Sequence, residues 1–155
     1  MQNRLTPALA FEKIKYFCAY QERSHHEVKD KLYKYGIYSD DIDQIIATLI
    51  EENYLNEERF ATSYVRGKFK MKHWGKIKIT QGLKVKRISS YNIKIGLLEI
   101  EEDEYLDVAY KLTEGKWLQL KDEQYINRQA KVIRYMLQKG FELHLITDCI
   151  KRIRE

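Results

Sequence analysis

A period of about 50 residues runs through this chain of 155 residues and limits the folds open to it more than any other feature. At an offset of 51, Val28 falls on Ile79, Leu32 on Leu83, Ile37 on Ile88 and Ser39 on Ser90. Ile42 then falls on Ile93, Leu49 on Ile100 and Tyr54 on Tyr105. At an offset of 104, Val28 falls on Val132, Leu32 on Met136, Gly36 on Gly140 and Ile37 on Phe141, followed by Ile42 on Ile146 and Leu49 on Ile153. A repeat of this length marks stacked helical units, none of which buries its apolar face alone. Three copies account for the length: residues 1–53, a basic unit at 54–101, and 102–155.

The spacing predicts three helices per unit. In the first, Phe11, Ile14 and Cys18 recur every three or four residues with Phe17 beside them. Ser24 and Glu27 form a capping-box pattern that opens a second helix, with Val28, Leu32 and Tyr35 on its buried face. Gly36 is suited to end it in a left-handed turn. Ser39 is read as the cap of a third helix, with Asp40 and Asp41 in its first turn and Ile42, Ile45, Ile46 and Leu49 as its stripe. Asn56 with Glu57 and Glu58 opens the next unit in the same way. In the last unit Asp122 is read as a cap, with Ile126, Val132, Ile133 and Met136 on one side of a helix that ends at Gly140. Ile146, Cys149, Ile150 and Ile153 give the final stripe. One stretch conflicts with this pattern. Residues 76–87 alternate Lys with Ile, Leu or Val, and Gln81-Gly82 resembles a hairpin turn. The repeat favours helix, because Ile79, Leu83 and Ile88 stand where Val28, Leu32 and Ile37 stand.

Composition agrees with an all-α fold of tandem three-helix repeats. Pro7 is the only proline, a third of the residues are charged, and 44% are apolar, enough to bury a core. No apolar run approaches the ~18 residues of a spanning helix. Residues 1–20 lack the apolar stretch of a signal peptide. Cys18 and Cys149 are isolated and read as buried thiols of a reducing compartment. A cytoplasmic protein without a membrane partner is expected.

The charge is segregated. Residues 59–98 hold eleven Lys and Arg and no Asp or Glu, leaving 17 bases against all 23 acids elsewhere. Five acids in six residues follow at once: Glu99, Glu101, Glu102, Asp103 and Glu104. Solvated helices ordinarily mix signs, because pairs four residues apart attract. Like charges without partners in their own segment repel, which makes sense if a polyanion neutralises them. The expected contact residues are Arg59, Arg66, Lys68, Lys70, Lys72, Lys76, Lys78, Lys84, Lys86 and Arg87. On the helix at 60–72, Phe60, Tyr64 and Met71 are expected to face inward while Arg66, Lys70 and Lys72 face out. His73 and Trp74 either stack on bases or, the commoner fate for Trp, fill a helix junction. Lys suits phosphate more than bidentate base readout, so nonspecific contacts to single- or double-stranded DNA are expected.

Nothing in the sequence assembles a catalytic site. His25 and His26 are neighbours without partners at metal-ligand spacing and read as exposed surface residues; His144 is alone. Asp40-Asp41 and Glu57-Glu58 lie where carboxylates favour helix starts anyway. No phosphate loop or nucleophile elbow is present. Tyr16, Tyr20, Tyr54 and Tyr135 read as packing between helices. No enzyme, cofactor or metal is expected.

The run Tyr54-Leu-Asn-Glu-Glu-Arg-Phe-Ala61, followed by Tyr64-Val-Arg66 and Gly75, resembles the signature of the RecX family of recombinase regulators. The segment Ser24–Gly36 fits the family's first unit, and the resemblance covers essentially the whole chain. The middle helix, usually Arg-rich in that family, is Lys-rich here, and the third repeat is anchored chiefly by Lys139-Gly140-Phe141. The resemblance implies an elongated, curved array of three-helix units that binds RecA nucleoprotein filaments. It implies inhibition of strand exchange, ATP hydrolysis and coprotease activity in DNA repair and the SOS response, with no cofactor. A monomer is expected. The alternative is a nonspecific DNA-binding module without a dedicated protein partner.

Overall fold

Thr6 and Pro7 set the first helix: Thr6 Oγ1 accepts from Leu9 N, and proline suits the first helical position because its missing N–H is unpaired there anyway. In the computed structural model, which describes residues 4–155, the helices are α1 (Pro7–Tyr20), α2 (His25–Lys34), α3 (Ser39–Glu51), α4 (Glu57–Lys72), α5 (Lys76–Val85), α6 (Ser90–Leu97), α7 (Glu102–Gln119), α8 (Tyr125–Gln138) and α9 (Leu143–Arg154). These are three tandem three-helix repeats, and no strand occurs among the described residues. The first three residues of the expected repeat 1–53 lie outside them.

Two compact units can be distinguished. One gathers the residues up to Ser63 with Leu83–Gly96; the other gathers Tyr64–Gly82 with the residues from Leu97 on. In the first, α1, α2 and α3 close on Ala10, Ile14, Cys18, Val28, Leu32, Ile42, Ile45 and Leu49, all buried. Phe11 and Phe17 cover that core half-buried. In the second, α7, α8 and α9 pack on Tyr105, Ala109, Val132, Met136, Ile146 and Ile150. The rings of Phe69, Tyr105 and Phe141 pack in series at 5.9 and 5.3 Å between centroids.

Residues 76–87 are not a hairpin: α5 is a helix, as the repeat indicates. Gly82 is there for packing, since a Cβ on it would meet the Tyr64 hydroxyl at 2.0 Å. Ser24 Oγ accepts from Glu27 N at 3.1 Å, and Asn56 Oδ1 accepts from Arg59 N at 2.9 Å, both as expected of caps. Ser39 is not a cap. Tyr38 holds that position with no side-chain bond, and Ser39 opens the helix itself. The repeat explains the shift by one: Tyr38, Ser89 and Glu142 are equivalent, and of the three Ser89 supplies a capping hydroxyl, to Asn92 N. Asp122 is likewise no cap. Gln124 precedes α8, which starts a turn earlier than its repeat partner α2 would place it. That extra turn leaves Ile126 78% exposed, correcting its place in the apolar stripe. Tyr16 and Tyr20 are exposed on α1 rather than packed between helices.

Candidate nucleic-acid interface

The inward face of α4 is Phe60, Ala61, Val65 and Phe69, a spacing of four that keeps one stripe buried. Met71 falls off that stripe and is 83% exposed, so it does not face inward as expected. Arg66, Lys70 and Lys72 are exposed as expected. The helix ends where His73 takes a positive φ of 55°. Trp74 follows, then Gly75, which stands in the register of Ser24. Without a capping side chain, α5 finds partners elsewhere: Gly75 N donates to Lys139 O at 2.7 Å, Ile77 N to Gly140 O at 3.0 Å, and Lys76 N to the Tyr105 hydroxyl at 3.0 Å. Tyr105 in turn donates to Glu142. Gly75 is required, because a Cβ there would lie 2.3 Å from the Gly140 carbonyl.

The basic window is not without intrachain partners. Five of the ten expected contact residues pair with acids from outside it. In the second unit the acidic run answers them in series: Arg66 meets Glu99 at 2.8 Å, Lys76 meets Glu102 at 3.4 Å, and Lys70 meets Glu104 at 3.8 Å. In the first unit Lys86 meets Glu27 at 3.0 Å. Arg59 there meets Glu22 at 2.6 Å and donates to Asn53 Oδ1 and to its carbonyl. Proximity in the fold supplies what the window lacks in sequence.

Lys68, Lys72 and Lys78 of the second unit, and Lys84 and Arg87 of the first, have no carboxylate within 4.0 Å among the described residues. Lys68 and Lys78 place their ammonium groups over the Trp74 ring, 4.8 and 4.3 Å from its centroid. Trp74 is half-buried, not locked in a helix junction. Lys139 joins them: its Nζ donates to the Lys72 carbonyl at 3.3 Å. Burial and then the charge of Lys78 lower its pKa. Sequence reasoning missed this residue, yet the repeat pairs Lys139 with Lys86, so the signal was present.

The remaining candidates do not assemble chemistry. His25 is half-buried rather than exposed, with its Nε2 unpartnered, and His26 lies 3.5 Å from Asp30. Glu57 accepts from Asn92 Nδ2 and Ser89 N, so it ties the start of α4 to that of α6. Among the described residues no three His, Cys, Asp or Glu gather around a metal position, and no helix is long and apolar enough to cross a membrane. Cys18 and Cys149 are buried. Burial pushes the Cys18 thiol up to about 11 and raises that of Cys149, so neither is a thiolate nucleophile at neutral pH.

Comparison with known proteins places these helices. Three family models match in order: the first three-helix domain of RecX at residues 10–49, the second at 56–97 and the third at 102–150. The regulatory protein RecX of Lactococcus lactis subsp. cremoris strain SK11 is 33% identical over 134 residues, covering 81% of this chain and 48% of that protein. That of Clostridium perfringens strain 13 is 29% identical, covering 84% and 62%. The chain thus spans about half the length of several curated relatives it matches. The crystal structure of RecX from Lactobacillus salivarius superposes with a TM-score of 0.86 at 26% identity, covering 96% of each chain.

Proposed function

The chain belongs to the RecX family of regulatory proteins, and on that premise we propose that it binds RecA nucleoprotein filaments and inhibits RecA recombinase, ATPase and coprotease activity. In this reading it acts in DNA repair and the SOS response, in the cytoplasm, as a monomer without a cofactor and without catalysing a reaction. Its three repeats, 1–53, 54–101 and 102–155, are the binding units, and the middle one carries most of the charge that meets the filament.

The observation that carries the reading is the set of cations left over after internal pairing: Lys68, Lys72, Lys78, Lys84 and Arg87. Arg66, Lys70, Lys76, Lys86 and Arg59 already satisfy carboxylates, so their share in polyanion binding is smaller than their number suggests. Ammonium groups left without counter-charges gain most when a phosphate backbone arrives. Arg87 supports the same view. It holds a φ of 62° where the other repeats have Gly36 and Gly140, and strained residues of this kind collect at functional sites.

The test is RecA-driven ATP hydrolysis on filaments formed beforehand. Lys72→Glu, Lys78→Glu and Lys84→Glu combined should abolish inhibition while leaving the thermal midpoint close to that of the unaltered protein. A triple variant that folds and inhibits normally would remove these bases from the interface.

A further inference from the structure

The segment between α4 and α5 gathers features that bulk charge alone does not require. Trp74 is partly open to solvent, and the ammonium groups of Lys68 and Lys78 lie over its ring rather than on carboxylates. Lys72 ends α4 immediately before it. Lys139 arrives from the third repeat, held 3.3 Å from the Lys72 carbonyl. Its position is built: Gly75 and Gly140 let the two backbones meet, so Lys139 is presented by the α5 cap rather than by a flexible tail.

We propose that Trp74, with Lys68, Lys72, Lys78 and Lys139, is a docking site for single-stranded DNA, in which one base stacks on the indole and the lysines take the flanking phosphates. An acidic protein surface would use the lysines and leave the ring idle. A duplex would present phosphates while keeping its bases stacked on one another. Of these three, an unpaired strand alone offers both a free base face and phosphates within a few ångströms. Stacking on a base is the stronger contact for an accessible indole than a solvated ammonium is, so the strand displaces Lys68 and Lys78 from the ring. The freed ammonium groups then meet the phosphates next to that base. The crowding of Lys139 by Lys78 is relieved by the same anion. The proposal deepens the RecA-filament reading, since such a filament contains the strand, but the site operates without RecA.

The experiment follows intrinsic fluorescence of the full chain titrated with oligo(dT) and with an abasic oligonucleotide of equal length and charge. Trp117, which is buried, provides an internal reference. Oligo(dT) should quench the emission and the abasic strand should not. Trp74→Phe should remove the quench, and Trp74→Ala should weaken oligo(dT) binding by roughly tenfold without altering abasic binding. Lys139→Ala should leave the quench intact and lower the salt slope of binding by about 0.7, the share of one phosphate contact on a single strand. Equal quenching by both strands, unaltered oligo(dT) affinity of Trp74→Ala, or equal quenching by a polyglutamate peptide would overturn the site. If the site fails while RecA hydrolysis is still inhibited, only the stacking proposal falls. If stacking is found but RecA hydrolysis is unaffected, the filament reading falls and the site stands.

Discussion

Arg87 occupies the place where the first and third repeats carry Gly36 and Gly140, and all three residues take positive φ, at 62°, 82° and 96°. A side chain in the left-handed region costs about 1–2 kcal/mol. Glycine forgoes that strain but loses about 0.5–1 kcal/mol to the freedom of its unfolded chain. Arg87→Gly should therefore raise stability by about 0.5–1 kcal/mol, read as a higher urea midpoint with an unchanged slope. The same change should weaken inhibition of RecA if Arg87 is kept for its charge. The left-handed turn was legible in the sequence at Gly36 and Gly140; at Arg87 only the repeat register could reveal it. Met71 and Ile126 were misread because periodicity places a residue on a helix but not the helix end against its neighbours.

At the scale of the element, two bases of α4 and the first residue of α5 meet the acidic run at 99–104 that leads into α7, as a ladder of opposite charges. Arg66–Glu99, Lys70–Glu104 and Lys76–Glu102 are largely exposed, and each contributes only ~0–1 kcal/mol. Their larger effect is on what remains available to a partner. Glu99→Gln, Glu102→Gln and Glu104→Gln together should release three bases. The slope of log affinity against log salt for single-stranded DNA should then steepen by up to about 2, at ~0.7 per added phosphate contact. An unchanged slope would mean that these bases were never masked. The acidic run was visible in the sequence, but its pairing with Arg66, Lys70 and Lys76 is made by the tertiary fold, which no local pattern reports. Helix α5 shows the converse. Its alternating pattern suggested strand, and the repeat corrected it because Ile79 and Leu83 fill the same buried positions as Val28 and Leu32.

Across the whole molecule, the repeat was the most readable property. Offsets of 51 and 104 align not only the core but also the positions before the third helix of each unit, Tyr38, Ser89 and Glu142. The candidate interface was readable in part. The ten bases divide between two compact units, and five of them are neutralised by acids that sequence distance had hidden. Lys139, which belongs with the remaining cations, lies outside the basic window altogether. What persists is a smaller set of free charges than the total suggested, carried by a chain that belongs to the RecX family. The most direct test of the RecA reading is to titrate the protein onto preformed RecA filaments and follow ATP hydrolysis. Hydrolysis should fall when the protein is well below the concentration of RecA, because a filament-binding regulator acts on many subunits at once. Hydrolysis that is unaffected until the protein covers all the DNA would contradict a dedicated regulator and indicate a nonspecific DNA-binding module.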